Sequence, residues 1–269
     1  MIRLIDSHCH LVSYKFPSEE IPTLIQNAID AGVDRIIATG TEVSNWDSYL
    51  SIAKMFPDNV FPSLGIHPTD VHEAPEEWYD LLLNLAVNKE IVALGETGLD
   101  YYHNPPEGWD EASFHFLQKE FLRKHFEIAK QTGLNVVIHT RDKKGSASFD
   151  DALQIAQEFA GQVRAMFHCF IGTKEQAQQV LDINGVLSFT GILTFKNAPD
   201  VLEVATWCPE NHFLLETDAP YLAPTPFRGQ RNEPAYVKEI AEKLAIARNT
   251  SLENIAKWST KTAKCFFSL

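Results

Sequence analysis

Eight short apolar, largely β-branched runs alternate along the chain with amphipathic stretches of helical length, and this alternation restricts the fold more than any other feature. The runs fall near 2–6, 34–39, 60–66, 91–96, 135–139, 164–168, 186–190 and 213–217. The helical stretches fall near 20–31, 45–56, 76–87, 110–132, 149–160, 173–183, 198–206, 234–247 and 251–266. A strand followed by a helix and then another strand implies parallel pairing, because parallel neighbours need a long crossover. Eight such units predict an α/β chain closed into a single (β/α)8 TIM barrel spanning residues 1–269, and a barrel of this kind takes about 250 residues. A doubly wound open sheet fits less well, since no G-x-G-x-x-G follows the first strand and no P-loop occurs. Ser44, Thr173 and Ser251 are predicted helix caps. The Pro- and Gly-rich segments 101–110 and 219–233 are long enough to cover a site.

The polar residues at the C-terminal ends of these runs come next, because that face of a barrel carries the chemistry. The first run ends in Asp6-Ser7-His8-Cys9-His10, the third in Gly65-Ile66-His67-Pro68 and the fourth in Gly95-Glu96-Thr97-Gly98-Leu99-Asp100. The fifth ends in His139-Thr140-Arg141, the sixth in His168-Cys169 and the eighth in Glu216-Thr217-Asp218. His8 and His10 share strand parity and point the same way, a two-pronged metal ligand. Four histidines (His8, His10, His139, His168) and two carboxylates (Glu96, Asp218) exceed what one catalytic zinc uses. They suit two divalent cations about 3.5–4 Å apart sharing a carboxylate. A nitrogen and oxygen donor set without thiolates leaves Zn, Mn, Mg, Fe, Co and Ni all open. Asp6 is expected to orient an imidazole, Glu216 to support the ligands, and Asp100, Tyr101 and Arg141 either to line a groove or to sit solvated on loops. His72, His103, His115, His125 and His212 fall on helices or loops without an expected role.

With these motifs in order, from Asp6-Ser7-His8-Cys9-His10 through Leu215-Glu216-Thr217-Asp218-Ala219-Pro220 to Arg228-Gly229-Gln230-Arg231-Asn232-Glu233-Pro234, the chain resembles the TatD family of metal-dependent deoxyribonucleases in the amidohydrolase superfamily. The resemblance implies that His8, His10 and Asp218 hold one ion, that His139 and His168 hold the second, and that Glu96 bridges them. It implies hydrolysis of DNA phosphodiester bonds from a 3′ end. Asp218 is expected to take a proton from the attacking water. Arg228 is expected to contact a phosphate in bidentate fashion. His67 either hydrogen-bonds substrate or plays a structural part. Segments 103–115 and 142–151 look longer than the family pattern.

Charge limits the partners. Lys and Arg total 23 against 36 Asp and Glu, a net of −13, which excludes a broad basic surface for nucleic acid. A nucleic-acid strand, DNA or RNA, is expected to bind only locally, at the cations. No run is apolar enough for a membrane span, no signal peptide is apparent and no protein partner is indicated. Four scattered cysteines, none in a C-x-x-C pair, suggest reduced, mostly buried thiols and a cytoplasmic protein. The same site chemistry would serve another ester or amide, such as an aminoacyl-tRNA, so the bond cleaved stays open between these alternatives.

Overall fold

The computed structural model describes residues 3–269; Ile2, placed in the first strand above, lies outside the described residues. Eight parallel strands run in sequence order around one sheet: β1 (Leu4–Cys9), β2 (Val33–Gly40), β3 (Val60–Leu64), β4 (Ala93–Tyr101), β5 (Val136–Asp142), β6 (Ala165–Phe167), β7 (Val186–Phe189) and β8 (Phe213–Leu215). The helices α1 (Ile21–Asp30), α2 (Val43–Met55), α3 (Trp78–Val87), α4 (Glu111–Thr132), α5 (Ala147–Glu158), α6 (Lys174–Asp182) and α7 (Pro199–Trp207) cross between strands, and α8 (Val237–Ala247) and α9 (Leu252–Phe267) follow β8. This is the TIM barrel expected from the alternation. It closes at its C-terminal rim, where Asp218 N–H donates to the His8 carbonyl at 3.0 Å and His10 N–H donates to the Ala219 carbonyl at 2.8 Å.

The barrel interior is packed by one buried residue from each of seven strands: Ile5, Ile37, Ala93, Val137, Met166, Val186 and Leu214. Ala263, Phe266 and Phe267 of α9 pack onto this layer and seal it. Burying each phenylalanine is worth about 1.5–3 kcal/mol, so α9 is an integral part of the barrel. A larger apolar shell fills the space between strands and helices and includes Phe114 and Phe121, read above as core.

Two of the three predicted caps are borne out, and other local expectations are corrected. Ser44 lies inside α2, whose N-terminal cap position is Glu42 with no side-chain cap bond. Thr173 accepts from Gln176 N–H in a reciprocal capping box, and Ser251 accepts from Asn254 N–H. Segment 142–151 leaves β5 at Asp142, bends through 143–146 and enters α5 at Ala147, two residues earlier than predicted. Two cysteines are buried, but Cys265 is exposed and Cys169 only partly buried. No helix among the described residues is long and apolar enough to cross a membrane.

Candidate metal centre

Two strands, β1 and β4, depart from regular pairing where they carry the site's side chains. On β1, Asp6 pairs with Ile36 and Cys9 with Ala38, so three steps oppose two and His8 sits in a bulge. On β4, Leu94 pairs with Val136 and Thr97 with Ile138, which places Glu96 in a second bulge. Bulges re-aim side chains beside active sites. β4 therefore does not end at Glu96 as the apolar pattern suggested; it continues to Tyr101. Gly95 and Gly98 make this path possible. Their φ values are 120° and 141°, and a Cβ there would strike the carbonyl oxygens of Val137 and His139.

The result is a cluster of seven side chains. Nε2 of His8 and Nε2 of His10 are 3.2 Å apart. Glu96 Oε2 lies 3.3 Å from His8 and 3.4 Å from His10, and Asp218 Oδ1 lies 3.7 and 3.3 Å from the same two nitrogens. The other oxygen of Glu96, Oε1, lies 3.0 Å from His139 Nδ1, 2.9 Å from His168 Nε2 and 3.5 Å from His67 Nε2. Glu96 thus turns one oxygen to each of two imidazole groups. His8 and His168 stack between these groups, with ring centroids 4.2 Å apart.

These residues fit divalent metal on two observations. An ion about 2.0–2.1 Å from tetrahedral nitrogen and oxygen donors sets donor–donor edges of about 3.3–3.4 Å, which is the spacing found around Glu96. Two of the outward-facing ring nitrogens also have acceptors that fix the tautomers, whereas His8 Nδ1 is buried without a partner. His10 Nδ1 is 3.1 Å from the Thr39 carbonyl, and His139 Nε2 is 3.1 Å from Asp100 Oδ2, so each donates outward and turns a lone pair inward. His168 Nδ1 lies 3.4 Å from Glu216 Oε1.

The electrostatics follow from confining five imidazoles and two carboxylates. Burial alone would raise the Glu96 carboxyl, but His168, His67 and His139 outweigh it and hold it well below its ordinary range. Burial also opposes charge on His168, yet Glu96 and Glu216 hold its pKa well above the usual imidazole value. His8, buried and beside His168, is pushed down. Asp218 is held low against its burial by His10. The buried carboxylates have no lysine or arginine partner within ion-pair distance among the described residues, so the site's charge is balanced only by protonated imidazole or a bound cation.

Other expected residues take different places. Asp6 does not orient an imidazole: it accepts from Thr217 N–H at 2.8 Å and Thr217 Oγ1 at 2.6 Å, tying β1 to the chain just before Asp218. Tyr101 donates to Asp151 at 2.8 Å and stacks on His115, outside the cleft lining. Arg228 is exposed, stacks at 3.6 Å on Phe195 and does not line the cleft. Arg141 and Asp100 do line it. His103 and His125 gain partners that sequence reasoning missed. His103 Nδ1 lies 3.0 Å from Asp100 Oδ2. His125 bonds the Phe121 carbonyl and Ile66 N–H inside the core. The shared parity of Glu96, Gly98 and Asp100 was the one available signal for Asp100. The cluster lies in a cleft of about 840 Å³, whose other walls include Tyr14, Tyr221 and Ile171.

A TIM barrel with histidines and carboxylates gathered at its C-terminal rim defines a metal-dependent hydrolase of the amidohydrolase type. The TatD-related DNase family profile matches residues 5–268, and the chain belongs to the TatD family. It is 35% identical over 266 residues to the uncharacterized metal-dependent hydrolase YabD of Bacillus subtilis, covering 99% of both chains. It is 34% identical over 263 residues to YcfH of Escherichia coli, covering 96% of this chain and 92% of that one. The crystal structure of YJJV, a TatD homolog of Escherichia coli, superposes with a TM-score of 0.87 at 25% identity, covering 99% of this chain and 98% of that chain.

Proposed function

We propose that the protein is a divalent-metal-dependent deoxyribonuclease that holds two ions per chain and removes nucleotides from a 3′ strand end. The observation that carries this reading is the division of Glu96, one oxygen toward His8 and His10 and the other toward His139 and His168. A carboxylate shared in this way suits a site holding two ions a few ångströms apart, the arrangement used in phosphodiester hydrolysis. His8, His10 and Asp218 would hold one ion, His139 and His168 the other. His67, 3.5 Å from Glu96 Oε1, stands within reach of the second group or of substrate. Divalent ions bound there supply Lewis acidity toward the phosphoryl oxygen and lower the pKa of water toward neutrality.

Asp218 is placed to receive the proton of the attacking water on its carboxylate. Its backbone adopts φ 55°, and its side chain sits at the cleft surface while that of His8 behind it is fully buried. Attack on phosphorus then forms one P–O bond and breaks another. The oxygen that leaves takes its proton from His67 Nε2: Nδ1 of that ring accepts from Thr69 N–H at 3.3 Å, which leaves the ring proton on the nitrogen facing the cleft. The reacting groups lie at the base of a confined cleft, which favours a strand end over the middle of a duplex. The polarity rests on the family resemblance. Arg228 would be met only by substrate extending beyond the cleft. The four unpaired cysteines favour the cytoplasm as its location.

The test is a substrate panel: end-labelled single-stranded DNA and a D-aminoacyl-tRNA, each with and without chelator. The expected result is chelator-sensitive shortening of the DNA from its 3′ end. Turnover of the aminoacyl ester alone would replace this reading with a deacylase.

A further inference from the structure

Two cations without a carboxylate partner stand near the cleft: Arg141 lines it, and Lys15 lies over Tyr221, a ring that lines it. Lys15 follows His10 by five residues, and its ammonium lies 4.5 Å from the ring centroid of Tyr221 and 5.7 Å from that of Tyr14. Arg141 follows His139 by two residues on β5, and its guanidinium lies 4.0 Å from the ring centroid of Tyr102. The lysine and arginine ion pairs among the described residues involve other side chains. Arg141 stands beyond His139 on one side of the cluster that Glu96 divides, and Lys15 stands on the other, where Tyr221 lines the cleft beside His10.

The aromatic contacts explain how they stay there. A lysine or arginine over a tyrosine face is attracted by the ring quadrupole, which favours one orientation and leaves the outer N–H groups free. Tyr221 also stands edge-on to His10, ring centroids 6.2 Å apart, which links the Lys15 side of the cleft to the metal ligands. Arg141 shares strand parity with His139 and so projects to the same side of β5. Carboxylates that such cations might serve instead, Glu42, Asp70 and Asp100, line the cleft but have no ion pair with either.

We propose that Lys15 and Arg141 grip the backbone phosphates on the two sides of the scissile bond, with Tyr221 and Tyr102 holding the two cations in place. This rests on the nuclease reading above. It assigns the non-reacting part of substrate recognition to two positions that leave the ligand set untouched. One phosphate contact on each side also accounts for how an acidic protein holds a polyanion with few contacts and a shallow dependence on salt.

The test uses the full chain supplied with Mn²⁺ and a fluorescent single-stranded oligothymidylate. Lys15→Gln and Arg141→Gln are each expected to raise KM about tenfold, as expected for one charge-assisted contact, with a smaller change in kcat. The slope of log K against log salt, from anisotropy titrations, should fall by about 0.7 for each contact removed. Lys15→Arg and Arg141→Lys should restore the slope, which a purely structural role would not require. If the double Gln variant binds and cleaves like the parent, the grip is refuted while the nuclease reading stands. If the parent protein neither binds nor cleaves the oligonucleotide, both fail together.

Discussion

Asp100 Oδ2 lies 3.1 Å from Nε2 of His139, on the edge of the ring opposite the nitrogen that faces Glu96. Asp100 is itself tightly held: its carboxylate accepts from the N–H groups of Tyr102 and His103, and its backbone N–H donates to Gln118. Burial opposes its charge, but His139 and His103 hold its pKa below the ordinary carboxylate range. Asp100→Asn keeps the shape and removes the charge that orients the imidazole. Metal affinity at the His139 side should fall about 10–100-fold, read by competition with a chelating dye, while the circular dichroism spectrum stays unchanged. Unaltered affinity would leave Asp100 without a part in the site.

Glu96 sets one carboxylate oxygen against each imidazole group. Glu96→Ala should lower kcat by more than about 100-fold, since even outer partners of metal ligands are worth 10–100-fold. The fold should persist, because the side chain borders the cleft and the apolar layers do not depend on it. A variant with parental turnover would overturn the shared-carboxylate arrangement.

Chelation should abolish activity, and added Mn²⁺ or Zn²⁺ should restore it. An ion held only by the folded chain, at 100 times its Kd, adds about 2.7 kcal/mol of stability. For a chain of this length that corresponds to a rise in melting temperature of about 5–10 °C. Scanning calorimetry of stripped and reloaded protein reads this directly, and elemental analysis gives the ion count.

His125 gives a pH prediction away from the ligands. Burial in the core pushes its pKa down to about 4, from 6.5 in the unfolded chain. Nδ1–H donates to the Phe121 carbonyl and Nε2 accepts from Ile66 N–H, so both nitrogens are satisfied by the neutral ring. Between pH 6.5 and 4 the unfolded chain binds the extra proton, and stability falls as pH falls. The loss reaches about 3 kcal/mol at the bottom of that window. His125→Gln should be less stable than the parent at pH 8 and should lose less on acidification. Parallel stability curves from urea melts would show that His125 does not carry this dependence.

The barrel was legible because its strands are short apolar runs bounded by turn residues, a pattern that depends on neighbours in sequence. β4 was the strand whose C-terminal end was read furthest short. Its second half, Thr97-Gly98-Leu99-Asp100-Tyr101, has no apolar run, and only pairing with Ile138–Asp142 extends it. The histidines and carboxylates of the cluster could be singled out by type and by position at strand ends. The roles of Asp100, His103 and Gln118 could not, because each depends on α4 and the 102–110 loop folding back onto β4. The place of Arg228 was equally hidden: loop composition says nothing about which aromatic ring a guanidinium will find.

The seal formed by Phe266 and Phe267 of α9 has a consequence for how the chain is made. The floor beneath Ile5, in the first strand to be synthesised, is supplied by side chains more than two hundred and fifty positions later. A nascent chain with all eight strands emerged would still have a solvent-open bottom, exposing its inner apolar layer until residue 267 has left the ribosome. Assembly of this barrel therefore waits for its last helix, and shortening α9 should harm folding yield more than its distance from the reacting groups suggests.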